Sequence, residues 1–312
     1  METKIKKLKL PEIDRRRYIR LKRSRLTETP HQQGYLIKIA HRREDYGDAF
    51  KLVYERYRKV GLLPALPSRM WYSIYHFLPD TNVAIATFLE NETGAISTAT
   101  IIMDSPLGLP SDSIYKDEID ELRASGRRIA EVSSLAAVPS SQARNSFMHV
   151  FRMVGLISRY MKVDSLLASV NPKHAPFYED ILLFEPKGDL KYYPHLTDAP
   201  AILEHLDFRN IKSLYGNTYS GYPPEFNVSD FLFGKDFRDL DMVDQVLGSQ
   251  LKKNKWSFED ICYFLCEKSD LWFKASSDQK AYLEKVYPGL SQYIESTYNR
   301  FAGCYGQTAL HM

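Results

Sequence analysis

Apolar and polar positions change period several times along the chain, and each change marks an element. Tyr35–Ala40 alternates and predicts a first strand. Over Glu44–Val60 the residues Tyr46, Ala49, Phe50, Val53 and Tyr57 recur at helical spacing, and Gly61 is a natural stop. The run LLPALPSRMWY, residues 62–72, is apolar but broken by proline, which predicts irregular chain. Val83–Glu90 and Ala95–Asp104 are β-rich and flank NETG, so they predict a hairpin. Residues 105–128 read as a Pro/Ser loop followed by a charged helical stretch, YKDEIDELRASGRR.

The densest signal lies in Ile129–Glu185. IAEVSSLAAVP predicts a strand that carries one acid, Glu131. SSQARNS reads as a polar loop, and FMHVFRMVGLISRYMKV as a strong helix. DSLLASVNP predicts a second strand, and KHAPFYEDILLF a short helix that runs into FEP. Ala199–Phe208 predicts a closing strand. Beyond it, NTYSGYPPEF looks like a linker. DMVDQVLGSQL, SFEDICYFLCEKSDLWF and SSDQKAYLEKVYPGLSQYIESTYNRF read as helices, with Ser257 and Ser276 or Ser277 as N-caps. The chain shows no internal repeat.

The order from Ile129 onward resembles the C-terminal half of the Gcn5-related N-acetyltransferase fold, in which a thioester donor lies between two splayed parallel strands. The helix VYERYRKVGLL, the aromatic MWYSIYHFLP, AEVSSLAAVP and FYEDILLFEP together resemble N-acyl amino acid synthases of the FeeM type. They are more distantly similar to acyl-homoserine lactone synthases of the LuxI type, whose aromatic and acidic N-terminal signature is only partly present. The resemblance spans about Tyr35–Phe208. It implies an α/β fold: a mixed, centrally splayed sheet with flanking helices. The expected divisions are a basic arm at 1–33, an acyltransferase-fold domain at 34–208 and a helical extension at 209–312.

Charge changes this picture at one end. Residues 1–26 hold eleven Lys/Arg against three Asp/Glu, whereas the remainder holds 31 basic and 36 acidic residues. The basic pI of about 8.5 is therefore set by the arm and not by the folded body. Such an arm suits an anionic membrane surface or an acidic protein such as a carrier protein, or is simply a solvated segment. Its Arg16 and Arg20, in IDRRRYIRLK, match the RxxxR element of PilZ domains, but the barrel and second motif of that family do not follow. No binding to nucleic acid is expected. The three cysteines make no disulfide framework, and Cys262 and Cys266 read as two buried thiols on one helix. No metal-ligand spacing occurs, no apolar run is long enough to cross a membrane, and the charged start reads as no secretory signal. A cytoplasmic location is the expectation.

Amide formation from a thioester needs an uncharged amine, a stabilised oxyanion and a proton for the thiolate. Glu131, in an apolar strand, is the candidate base; a strand-edge acid or a partner for a buried arginine is the plainer reading. Backbone N–H groups near Ser133, Ser134 and Leu135 are candidates to polarise the carbonyl, provided the strand bulges. The resemblance assigns Tyr178 as the acid that protonates the thiolate, with helix packing as its alternative. Asn171 either holds the donor's amide arm or caps the next helix.

Coenzyme A enzymes of this fold usually carry a glycine-rich loop that cradles a pyrophosphate. The corresponding SSQARNSFM has no glycine. Gln142 and Arg144 suit a donor with one phosphate, and the phosphopantetheine of an acyl carrier protein is such a donor. By the same resemblance Tyr54, Arg56 and Arg58 lie near the acceptor or donor pocket. Trp71, Tyr72 and Phe77 line an acyl tunnel or are ordinary core.

The expected function is N-acylation of an amino acid by a long-chain acyl group from acyl carrier protein, with no tightly bound cofactor and no metal. A coenzyme A-dependent N-acetyltransferase is the alternative within the class. A non-catalytic lipid- or nucleotide-binding module is the alternative outside it.

Overall fold

The computed structural model describes residues 12–22, 24–90, 94–234, 240–251 and 256–304, with side chains except at 12–14, 141–144, 240–243, 246 and 298–304. A central sheet of eight strands organises it. The strands are β1 (Tyr35–Ile39), β2 (Asn82–Phe88), β3 (Ala95–Met103), β4 (Ile129–Ala137), β5 (Ser165–Val170), β6 (Glu185–Pro186), β7 (Lys191–Tyr193) and β8 (Ala199–Asp207). Their order is β1-β2-β3-β4-β5-β8-β6, and β7 pairs with the start of β8. Every pairing is antiparallel except β4 with β5. That parallel pair needs a crossover, and α4 (Ser141–Tyr160) supplies it.

Alternation along the strands sorts the sheet into two covered faces. Ala130, Val132, Leu166, Ala168 and Leu206 pack with α4, α5 (Ala175–Asp180), α6 (Ile211–Tyr219) and α7 (Val228–Phe233). Ile129, Leu167 and Leu203 face the other way, toward α3 (Asp112–Ala124). On that same face α2 (Arg43–Lys59) lays Leu52 and Val53 against Ala136. Both faces being covered explains why β2 and β3 read as continuous apolar runs.

The remaining helices are α8 (Leu240–Leu251), α9 (Phe258–Cys262, continued by a π-turn over Tyr263–Glu267), α10 (Leu271–Lys274), α11 (Ser277–Val286) and α12 (Leu290–Cys304). Ser257 and Ser276 cap α9 and α11, as the sequence predicts. Trp256, Ile261, Phe264, Trp272, Leu283 and Ile294 form one buried cluster with Tyr46, Phe50, Tyr72 and Phe77. The C-terminal helices therefore share core with α2 and the chain after it. Cys262 and Cys266 are buried free thiols. No described helix is long and apolar enough to cross a membrane.

Three local expectations change. Residues 141–145 are not a loop: α4 begins at Ser141, four residues after β4 ends. The polar composition of a first helical turn imitates that of a loop. The stretch 217–226 is not a plain linker, since α6 runs to Tyr219, and Tyr215 and Tyr219 are wholly buried. The basic segment, from residue 12, is a docked helix, α1 (Glu12–Leu21). Arg17 Nε donates to Asp180 O at 2.7 Å, Arg20 donates to Pro176 O and pairs with Asp180, and Leu21 enters the core. The earlier part of the basic segment, residues 1–11, lies outside the described residues.

Candidate functional site

The site begins as an irregularity in β4. Thr100 pairs with Ser133 and Thr98 with Ala136, so between those pairs β3 advances two residues and β4 three. The extra residue is a bulge, with Ser134 at φ +53°. The parallel pairing of β4 with β5 stops at Val132–Ala168, although β4 continues to Ala137 and β5 to Val170. The two strands diverge there, which leaves the β5-facing edge of residues 133–137 without a strand partner. Ser133, Ser134 and Leu135 thus sit at the opening.

Glu131 lies just before the opening, 3% exposed, on the face of α2 and α3. Its Oε2 accepts the Ser111 N–H at 2.9 Å, and the Ser111 hydroxyl meets Tyr193 OH at 3.0 Å. Burial pushes the Glu131 carboxyl up to about 7, and the Ser111 hydrogen bonds hold it from rising further. Near neutral pH both its protonated and its ionised form are therefore accessible. Tyr57 and Tyr193 are close enough to be raised by its charge, on top of a larger effect of burial.

Tyr57, on the last turns of α2, connects the two candidate catalytic groups. Like Trp71 and Val138, it packs against the small cluster of Leu52, Val53, Ala95 and Ala136. Its own charge contributes to raising Tyr178, whose phenol burial already holds well above the ordinary tyrosine range. Tyr178 is 6% exposed on α5, with its ring edge-on to Phe184 at 5.5 Å. Glu131 and Tyr178 thus lie on opposite faces of the sheet, and each is close enough to Tyr57 for one charge to shift the other group.

The other predicted residues divide. Leu66 N donates to Tyr54 OH at 3.3 Å, and Arg58 Nη1 reaches Leu63 O at 3.5 Å, so both hold the proline-broken chain after α2. Arg56 is half-buried on the same helix. Asn171 Oδ1 accepts the Lys173 N–H at 3.2 Å in the turn before α5, whose N-cap is His174 with no side-chain cap bond. Tyr72 and Phe77 belong to the core shared with the C-terminal helices, where Tyr72 OH donates to Phe264 O at 2.7 Å. Gln142 and Arg144 stand on the first turn of α4, and their side chains lie outside the described residues. No group of three or more His, Cys, Asp or Glu suited to a metal occurs among the described residues.

Two residues escape the sequence reading. His76, in a 3-10 turn over Ile74–Phe77, is buried with Nε2 3.1 Å from Ser134 Oγ. Its sequence signal is Ser73-x-x-His, a capping box inside an aromatic run. Glu204 on β8 is wholly buried beside Ala168, with Glu179 as its polar neighbour. Burial and the charge of Glu179 push it up to about 7, and its charge in turn contributes to raising Tyr178.

Comparison with known proteins supplies the chemistry that this geometry resembles. The family model described as N-acyl amino acid synthase FeeM matches residues 48–207, just over half of the chain. The solved structure of FeeM, an N-acyl amino acid synthase from uncultured soil microbes, is 28% identical with a TM-score of 0.51. That match covers 57% of this chain and 93% of FeeM. TofI, solved in a ternary complex with an inhibitor and MTA, is 14% identical over 55% of this chain and 90% of its own, with a TM-score of 0.42. BjaI, a CoA-dependent acyl-homoserine lactone synthase solved with SAM and isopentyl-CoA, is 15% identical over 59% of this chain and 89% of its own, at 0.40. No curated protein matches the chain.

Proposed function

The chain belongs to the N-acyl amino acid synthase FeeM family, and from that premise we propose that it moves a long-chain acyl group from an acyl carrier protein thioester to the amine of an amino acid. It is an acyltransferase. The acyltransferase unit of this reading is 34–208, with the basic arm before it and the helical extension after it. The observation that carries the reading is the bulged opening between β4 and β5, bordered by a buried acid that titrates near neutrality.

The acyl chain lies against Trp71 and Tyr57, and the phosphopantetheine arm enters between the diverging strands. Arg144 is the candidate partner of its single phosphate. Glu131, directly or through a water, takes a proton from the acceptor's ammonium group. The free amine attacks the thioester carbonyl, and the C–S bond breaks as the C–N bond forms. Backbone N–H groups at Ser133–Leu135 stabilise the oxyanion. Tyr178 or solvent returns a proton to the thiolate, and the net products are the amide, the thiol and one proton. Pyrophosphate recognition has little support: α4 starts within four residues of β4, with no glycine between.

The test is mass spectrometry of the purified protein incubated with long-chain acyl carrier protein and the twenty amino acids. An N-acyl amino acid is the expected product, and free coenzyme A leaves the rate unchanged. Turnover only with acyl-coenzyme A, inhibited by free coenzyme A, replaces the carrier donor with the thioester of coenzyme A. Turnover with a non-amino-acid amine replaces the acceptor.

A further inference from the structure

The helices that lie beyond the family match reach the bulge through one histidine. His76 Nδ1 is held by Ser73, whose N–H lies 3.1 Å and whose carbonyl 3.2 Å away, and Nε2 is hydrogen-bonded to Ser134 Oγ at 3.1 Å, the ring's tautomer deciding which of the two donates. Ser134 has φ +53°, a conformation that side chains disfavour and that needs an outside hold. His76 is itself gripped from behind. Its carbonyl accepts the Trp256 indole N–H at 3.2 Å, and the Phe50 ring stands perpendicular to it at 5.2 Å. The next carbonyl, Phe77 O, accepts from Tyr287 OH at 3.0 Å. Tyr72, at the head of the same segment, is tied to Phe264 O. Trp256, Phe264 and Tyr287 all come from the C-terminal helical region, and the first two are buried in one cluster with Phe50, Tyr72 and Phe77.

We propose that the C-terminal helices brace the Ile74–Phe77 turn so that His76 locks Ser134 in the bulge, which makes His76 a positioning residue for acyl transfer. The kinetic part rests on the acyl-transfer reading of the bulge; the brace does not. Burial holds the imidazole down to about 4, so the lock stays neutral and intact through physiological pH.

The test uses the full chain and two readouts, amide hydrogen exchange over residues 129–140 and steady-state kinetics. In His76→Leu, loss of the bond speeds exchange at Ser134–Ala136 about tenfold and lowers kcat about tenfold, with KM for the acyl donor within about twofold. His76→Gln, whose amide can still hydrogen-bond Ser134 Oγ, recovers most of both. Glycine tolerates the positive φ without a lock, so in a Ser134→Gly background His76→Leu adds nothing. Trp256→Phe keeps an aromatic ring of smaller size but removes the N–H donor, and shows a smaller effect of the same kind even if His76→Leu does not fold. Unchanged exchange in folded His76→Leu and Trp256→Phe, or full additivity with Ser134→Gly, overturns the proposal. Faster exchange in the variants of a protein that acylates no amine sustains the brace and overturns the acyl-transfer reading. Normal exchange with normal turnover does the reverse.

Discussion

Two carboxyls are buried in the sheet, on opposite faces, and they are held differently. Glu131 on β4 faces α2 and α3, accepts the Ser111 N–H and stands among Tyr57, Tyr75 and Tyr193. Glu204 on β8 faces α4 and α5, has no backbone N–H donor among the described residues and stands beside Glu179 and Tyr178. Both are pushed up to about 7, chiefly by burial. Equal titration therefore does not make them equivalent. A general base must present one oxygen to the substrate in a fixed direction, and a backbone donor on the other oxygen provides that direction. Glu131 has such a donor. Glu204 has none, and burial together with the neighbouring Glu179 raises it.

The strongest way to break this comparison is to neutralise Glu131. Glu131→Gln preserves shape and is expected to lower kcat by about 10²-fold or more while KM for the donor stays within about twofold. Steady-state kinetics at pH 8 decide it, and full activity removes Glu131 from the reaction. The pH profile sharpens the point. With a carboxyl near 7, kcat/KM rises with pH through that value and levels off above it, because only the carboxylate accepts a proton. Glu131→Gln abolishes that step, and Glu204→Gln leaves it in place.

Tyr178→Phe is expected to act less strongly, by about tenfold in kcat, because solvent can also protonate a released thiolate. The phenol lies well above its ordinary range through burial, with Tyr57 and Glu204 adding to the effect, so it remains protonated and able to donate at every accessible pH. A loss in KM alone would move Tyr178 from proton donor to simple packing against Phe177 and Phe184.

The element order was legible because periodicity is local: the switch from alternation in IAEVSSLAA to helical spacing in FMHVFRMVG marks β4 and α4 in sequence alone. The bulge was not, because it is a property of pairing between Thr98–Thr100 and Ser133–Ala136, residues more than thirty positions apart. His76 reaches Ser134 across 58 positions and is itself held by Trp256, 180 positions further on, so no short pattern contains the contact. Glu204 was passed over for a different reason. Its setting, ILEHLDF, alternates like a half-exposed strand, whereas α5 and α3 cover β8 on both faces.

Glu204 also gives the smallest and most diagnostic expected effect. Its carboxyl is raised above the ordinary value of a glutamate, so between about 4.5 and 7 the folded chain holds a proton that the unfolded chain has released. Stability contributed by this group is thus present at low pH and lost as pH rises through 7. Glutamine carries no such penalty. Glu204→Gln should therefore leave the melting midpoint at pH 4.5 nearly unchanged and raise it by a few degrees at pH 8, with kcat altered less than about threefold. Calorimetry at the two pH values reads the first effect and steady-state kinetics the second. A large fall in kcat without a change in KM would mean that Glu204 also handles a proton, through Tyr178, and the two carboxyls would then form one acid–base pair across the opening between β4 and β5.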